Sequence, residues 1–120
     1  MTVIYGYLRD ILQCIDRILE YTRDGRDSFL ADPKTQDAVA RNFEIIGEVV
    51  KRLPTGLLQA QPHIPWRAIA GFRDILIHDY GYIDLEEVWL TIERDVMPLK
   101  KAVQALLDSL PADDEPDMLG

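Results

Sequence analysis

Apolar residues recur at steps of three and four along most of the chain, a spacing that predicts amphipathic helices. A first long helix is expected to end near residues 21–25, where Gly-Arg-Asp-Ser predicts a break. Asp32 and Pro33 predict the N-cap and first turn of a second helix, which continues to Pro54. The seam of the first helix consists of Ile4, Leu8, Ile11, Ile15 and Ile18.

The second half of the chain continues the helical pattern. Residues 55–62 predict a loop or a short helical turn, Pro65 starts a third helix with Trp66, Ile69, Phe72 and Leu76, and Gly81 ends it. Asp84 and Glu87 predict a capping box for a fourth helix, which Pro98 is expected to kink or divide. Its apolar positions are Val88, Ile92, Met97, Leu99, Val103, Leu106 and Leu107.

No segment alternates with a period of two, so we predict an all-α fold, an up-and-down bundle of four to five helices. The first helix also carries apolar residues outside its main seam. Because a small bundle that exposes extra apolar surface favours a second contact, we expect a symmetric homodimer. These residues are Val3, Tyr7, Leu12, Cys14 and Leu19.

The formal net charge of -8 disfavours a protein that binds nucleic acid over a broad surface. Five of the 21 acidic residues lie in residues 108–120, so residues 1–107 carry a net charge of -3. We therefore predict a helical domain over residues 1–107 and a flexible acidic tail over residues 108–120. Any RNA contact is expected to be local.

Composition also limits the cellular setting. Cys14 is the single cysteine, which excludes an intrachain disulfide, and its apolar context predicts a buried thiol. No apolar stretch approaches the roughly 20 residues that span a bilayer, and no signal peptide is apparent. We expect a cytoplasmic protein without a membrane partner.

The residue types able to handle a phosphodiester cluster in one segment, near the end of the third helix. Arg73 supplies a charged planar fork, His78 a proton donor or acceptor near neutral pH, and Tyr80 a phenolic hydroxyl. The same residues also fit a purely structural interpretation: an ion-paired arginine, a capping histidine and a packing tyrosine. On a regular helix Arg73 and His78 point roughly 140° apart, so they meet only if the helix loosens or two copies face each other.

Other polar residues have mainly structural interpretations. Glu44 and Glu48 are expected to pair with Arg41, Lys51 or Arg52, and Glu48 is also a supporting candidate for the site. His63 is expected in a loop. It lies 15 residues from His78 without an evident ligand cluster, so we predict neither a metal nor a cofactor.

Three further positions are expected to organise the packing. Trp66 and Trp89 are expected to anchor the core. Gly47 is expected to let another helix approach closely, because glycine is otherwise costly in a helix.

The segment from Ile64 to Tyr80, Ile-Pro-Trp-Arg-Ala-Ile-Ala-Gly-Phe-Arg-Asp-Ile-Leu-Ile-His-Asp-Tyr, resembles the HEPN superfamily. Within it, the chain is similar to the HepT-type toxins, whose signature Arg-x(4–6)-His-x-Tyr matches Arg73, His78 and Tyr80. The similarity continues in Ile83-Asp-Leu-Glu-Glu-Val-Trp89 and upstream in residues 41–53, and so covers most of residues 4–107. Asp74 departs from the polar, often asparagine, residue of many members, and it is a supporting candidate that orients or partly neutralises Arg73.

The resemblance implies the toxin of a type VII toxin–antitoxin system, a metal-independent endoribonuclease with Arg73 and His78 as its catalytic pair. RNA, with transfer RNA as one candidate, is the implied substrate, and its 2′-hydroxyl is the nucleophile. The implied partner is a minimal nucleotidyltransferase antitoxin, which inactivates the toxin by attaching AMP to Tyr80. Two alternatives stay open: a catalytically silent module that docks a nucleotidyltransferase, and a purely structural helical dimer.

Overall fold

The computed structural model describes residues 2–71 and 84–111, and within them it contains helices and no strand. Three helices are long: α1 (Thr2–Tyr21), α3 (Pro33–Arg52) and α6 (Leu85–Ser109). Two are short: α2 (Arg26–Ala31) and α4 (Thr55–Leu58). A further helix, α5, is described over residues 66–71. The predicted all-α fold is therefore confirmed.

The core forms around α1, which packs against both α3 and α6. Its predicted seam is the most deeply buried part of the chain, since Leu8, Ile11, Ile15 and Ile18 have no exposed surface. The short helix α2 packs against α3 and α6. There the ring of Phe29 lies against that of Trp89, with centroids 5.6 Å apart, so α2 closes one side of the core.

Local side-chain chemistry sets the starts of α3 and α6 where the sequence predicts them. The Asp32 carboxylate accepts hydrogen bonds from the Lys34 backbone N–H at 3.1 Å and the Thr35 hydroxyl at 2.7 Å. The bond from Thr35 is the main reason that the pKa of Asp32 lies below its usual value. At α6, Asp84 accepts from the Glu87 backbone N–H at 3.2 Å, so both capping predictions are confirmed.

Two local predictions differ from the structure. The expected break at residues 25–28 is largely taken up by α2, which follows Gly25 in the left-handed region at φ 95°. Pro98 lies inside α6, which runs from Leu85 to Ser109, so the helix is not divided there and the expected kink stays a prediction. On the same helix Met97 is 45% exposed, whereas its neighbour Val96 is 1% exposed and fills the core position.

Most of the extra apolar surface predicted on α1 is used within the chain. Leu12 and Cys14 are buried, and burial raises the pKa of the Cys14 thiol. Tyr7 and Leu19 are partly buried against the same core, while Val3 is 52% exposed. Because α1 lies between two long helices, it buries more than one face. Most of this surface is therefore not available to a second subunit, and the dimer stays a prediction.

Helix α6 extends to Ser109, and residues 112–120 of the predicted acidic tail lie outside the described residues. The division into residues 1–107 and 108–120 thus stays a prediction.

Helices α3 and α5 approach each other closely at Gly47. A β-carbon built on Gly47 would lie 3.1 Å from the Ile69 carbonyl oxygen and 3.2 Å from that of Ala70, both tighter than ordinary van der Waals contact. These acceptors are backbone atoms, so only a displacement of one helix would relieve the contact. The predicted role of Gly47 in a close helix approach is confirmed.

Replacing Gly47 with alanine has two opposing effects: alanine favours the helix, but its β-carbon crowds the carbonyls of α5. In α1, a β-carbon added to Gly6 would meet no atom within 4 Å, so Gly6→Ala should raise the free energy of unfolding by up to about 1 kcal/mol. Gly47→Ala should gain less than Gly6→Ala or lose stability, because its methyl group pushes against α5. Urea denaturation of both variants measures the difference, and an equal gain would contradict the proposed contact.

Candidate functional site

Four of the predicted site residues lie outside the described residues: Arg73, Asp74, His78 and Tyr80. Their mutual geometry therefore stays a prediction. The structure does describe the chain on both sides, up to residue 71 and again from residue 84. These two flanks show how the fold holds the segment that carries the motif.

On the upstream side, Trp66 fixes the start of α5. Its indole Nε1 donates to the carbonyl oxygens of Leu58 and Gln61, both at 3.0 Å, and its ring packs partly buried against the core. Ile64, just before it, is 6% exposed. Since Gly47 also holds α5 close to α3, the chain enters the motif from an anchored helix. The prediction that Trp66 anchors the core is confirmed.

On the downstream side, the start of α6 is held by Trp89 and by an ion pair. Trp89 is 8% exposed and packs on Phe29, which confirms its predicted place in the core. Its Nε1 has no hydrogen-bond partner in the described part of the chain. Arg26 of α2 donates to the carboxylate of Glu86, and this bond raises the pKa of Arg26. The two tryptophans thus bracket the motif, each in contact with a different part of the bundle.

Glu48 is the one predicted site residue within the described part of the chain. It follows Gly47 directly, and its side chain is 41% exposed with a carboxylate oxygen 3.7 Å from Lys51 Nζ. Arg41 similarly pairs with Glu44 at 3.4 Å. The predicted pairing of both glutamates is confirmed, and the location of Glu48 beside the α3–α5 contact keeps it a candidate for a supporting role.

Asn42 is a buried polar residue that the sequence pattern did not single out. It is 6% exposed in α3, five residues before Gly47, and its Nδ2 donates to the Ala38 carbonyl oxygen at 2.8 Å. Its Oδ1 has no hydrogen-bond partner among the described residues. The sequence signal for its burial is its place between the apolar positions Val39 and Phe43.

The remaining described surface does not assemble a second set of catalytic groups. His63 is exposed, as predicted for a loop residue. Residues 2–71 and 84–111 contain no group of three metal-ligating side chains. Within the same residues, no helix combines the length and apolar character needed to cross a membrane.

A polar groove of about 750 Å³ lies between α1 and α6. It contains none of the predicted site residues. Acidic and basic side chains are mixed along it, and Lys100 Nζ lies 2.9 Å from an Asp16 carboxylate oxygen. The residues that line it are Arg9, Asp10, Leu12, Gln13, Asp16, Arg17, Glu20, Tyr21, Lys100 and Gln104.

Comparison with known proteins identifies the family of the chain. A family model described as "Ribonuclease HepT-like" matches residues 11–106, which include the motif and the two helices that flank it. A protein of Thermococcus cleftensis, provisionally named ribonuclease HepT, is 44% identical over 101 residues, covering 83% of this chain and 92% of its own length.

Two relatives come from Methanocaldococcus jannaschii. One, named as a candidate RNase, is 37% identical over 113 residues, and the alignment covers 93% of this chain and 93% of the relative. The other, named as a gamma-glutamylcyclotransferase and candidate RNase, is 41% identical over 87% of this chain, but the chain spans only 47% of that relative's length. No solved structure matches. With the family match over most of its length, the chain belongs to the HepT-like ribonuclease family.

Proposed function

We propose that the chain is an endoribonuclease toxin that cleaves RNA at a site formed by Arg73 and His78. The observation that carries the proposal is the complete Arg73-x4-His78-x-Tyr80 motif inside the segment that matches the HepT-like ribonuclease family. The anchored helix α5 supports it, because Trp66 and Gly47 hold the chain just before the motif. Catalytic groups need such a rigid support to reach productive geometry.

The proposed reaction uses the nucleophile that RNA itself carries. His78 accepts the proton of the 2′-hydroxyl as its oxygen attacks the adjacent phosphorus, and the bond from phosphorus to the 5′-oxygen breaks. The leaving 5′-oxygen takes up a proton from water and His78 returns its proton to solvent, so the products are a 2′,3′-cyclic phosphate and a 5′-hydroxyl. Arg73 binds the phosphate oxygens and stabilises the charge that develops on them in the transition state. The protein thus needs to supply only positioning, charge and proton transfer.

Replacing His78 with alanine should lower the rate of RNA cleavage by at least about 100-fold, because general acid–base catalysis contributes a factor of that order or more. Growth inhibition should be lost, and the helical circular dichroism should be unchanged. His63→Ala, which changes an exposed histidine in a loop, is the matched control and should cleave RNA at the unaltered rate.

The cleavage assay is run on transfer RNA with and without a chelator. Undiminished cleavage by the His78→Ala variant would reject the catalytic pair. A purified wild-type protein that binds a nucleotidyltransferase but cleaves no RNA would instead favour the silent binding module.

Tyr80 is proposed as the residue through which a minimal nucleotidyltransferase antitoxin inactivates the nuclease. Transfer of AMP from a nucleoside triphosphate joins the phenolic oxygen to the α-phosphorus and releases pyrophosphate. On a regular helix Tyr80 lies about 20° from Arg73, so the attached phosphate would compete for the guanidinium and block the cleft.

Coexpression with a minimal nucleotidyltransferase should add one or more AMP units to the protein, as measured by intact mass. Tyr80→Phe should show no such increment and should keep its ribonuclease activity in the presence of the transferase. Tyr21→Phe, at a tyrosine that is 44% exposed, should be modified like the wild type. AMP addition that persists in Tyr80→Phe would place the modification elsewhere.

A symmetric homodimer is proposed because Arg73 and His78 point roughly 140° apart on a regular helix. Two copies that face each other across a twofold axis would bring the arginine of one subunit to the histidine of the other. The shared cleft would also concentrate positive charge in an acidic protein.

Mixing Arg73→Ala and His78→Ala subunits should restore roughly a quarter of the wild-type activity, because half of randomly formed dimers are mixed and each has one intact shared site. Sedimentation at micromolar concentration should show a dimer for each variant. A strictly monomeric protein that cleaves RNA, or a mixed dimer without activity, would rule out the shared cleft.

A further inference from the structure

The acidic residues of this chain are distributed unevenly, and one long stretch contains none. Between Glu48 and Asp74 the sequence has 25 residues without a single aspartate or glutamate, although the whole chain contains 21. The same stretch contains Lys51, Arg52 and Arg67, and ends at Arg73. In a chain with a net charge of -8, a region with three positive charges and no negative one stands immediately before Arg73, the first residue of the proposed catalytic motif.

The fold turns these charges outward. Residues 49–71 form the last turn of α3, the short helix α4, a loop and α5. Their apolar anchors Leu53 and Ile64 are each 6% exposed. Lys51, Arg52 and Arg67 are all exposed, so we call these three residues the basic surface.

Both parts of the basic surface lie near the α3–α5 contact. The contact joins Gly47 to the backbone of Ile69 and Ala70. At about 1.5 Å of helical rise per residue, Lys51 lies about 6 Å along α3 from this contact, and Arg67 about 3 Å along α5. The two helices therefore present their positive charges from one region of the bundle.

Two of these cations have no internal carboxylate partner among the described residues, as is also true of Arg9, Arg17, Lys34 and Lys101. Arg52 and Arg67 form no ion pair within residues 2–71 and 84–111, whereas several other cations pair with a carboxylate within 3.5 Å. Lys51 has a weak partner: its Nζ lies 3.7 Å from Glu48, and both side chains are about 40% exposed. Among the described residues, a phosphate would meet guanidinium groups without having to displace a strong internal partner.

We propose that the basic surface binds the sugar–phosphate backbone of RNA next to the cleavage motif. The proposal rests on the ribonuclease function and adds the place where substrate is held. Phosphate binding by lysine and arginine depends on charge and releases counterions, so a local positive surface suffices to attract RNA without any specific base contact. In an otherwise acidic protein, the same surface would steer the RNA toward Arg73 and away from the remaining face.

Binding is tested with a fluorescent single-stranded RNA carrying 2′-O-methyl groups, which remove the nucleophile and so prevent cleavage. The double variant Arg52→Gln, Arg67→Gln should bind roughly 25-fold more weakly than wild type at 0.1 M salt. For single strands, each phosphate contact contributes about 0.7 to the slope of log affinity against log salt concentration. Loss of two contacts therefore removes about 1.4 log units of affinity between 1 M and 0.1 M salt, which is about 25-fold. The slope itself should fall by about 1.4.

Arg9→Gln, Arg17→Gln is the matched control. It also removes two exposed arginine charges, but from the mixed-charge groove on α1. Its affinity and salt slope should equal those of wild type. An equal loss in both double variants would show that only net charge matters, and no loss in Arg52→Gln, Arg67→Gln would equally overturn the proposed surface.

Kinetics on cleavable RNA separate this proposal from the function on which it rests. The Arg52→Gln, Arg67→Gln variant should raise KM while leaving kcat at saturating RNA unchanged, since the basic surface holds substrate and does not touch the reacting atoms. Wild type that cleaves RNA with the same KM as the variant would reject the basic surface alone. Wild type that cleaves nothing, while RNA binding still depends on Arg52 and Arg67, would reject the ribonuclease function and retain the surface.

Discussion

The structure depends above all on the burial of α1 between α3 and α6. Four residues of its seam are fully removed from solvent, and each such aliphatic side chain contributes about 1.5–3 kcal/mol when buried. Since both neighbouring helices need α1 to cover their own apolar stripes, none of the three long helices can bury its stripe alone. Helices α2 and α5 then attach to this frame, α2 through Phe29 and α5 through Trp66 and the glycine contact.

The proposed function requires the three-helix frame mainly to position reactive groups. The chain offers one concentrated set of reactive side chains, and RNA supplies its own nucleophile, so the main demand on the protein is accurate placement. Placement comes from the anchored flanks, where Trp66 is held by two backbone carbonyls and Trp89 is packed on Phe29. The proposed RNA contact is confined to the acid-free stretch before the motif, where the net charge of -8 on the whole chain opposes it least.

Features that depend on near neighbours in the chain were predictable from the sequence. Asp32 and Asp84 cap their helices because their carboxylates reach backbone N–H groups two or three residues away, a geometry encoded entirely in local order. The apolar periodicity identified the three long helices, and the motif with its surroundings identified the family. The relative position of the Arg73 and His78 side chains could not be predicted from local spacing, because a regular helix points them far apart.

Features that depend on what packs against a residue were decided only by the tertiary structure. The sequence shows a costly glycine at position 47, but only the fold shows that the Ile69 and Ala70 carbonyls fill the space of its missing side chain. Leu12 and Cys14 looked like surplus apolar surface until α1 was found between two helices, and Met97 looked like a core residue until Val96 was found to occupy that place. The sequence by itself determined the helices, their caps and the chemistry of the motif, because these follow from local spacing. Which faces are buried, and how closely α5 approaches α3, was decided by the fold, because both depend on contacts between residues far apart in the chain.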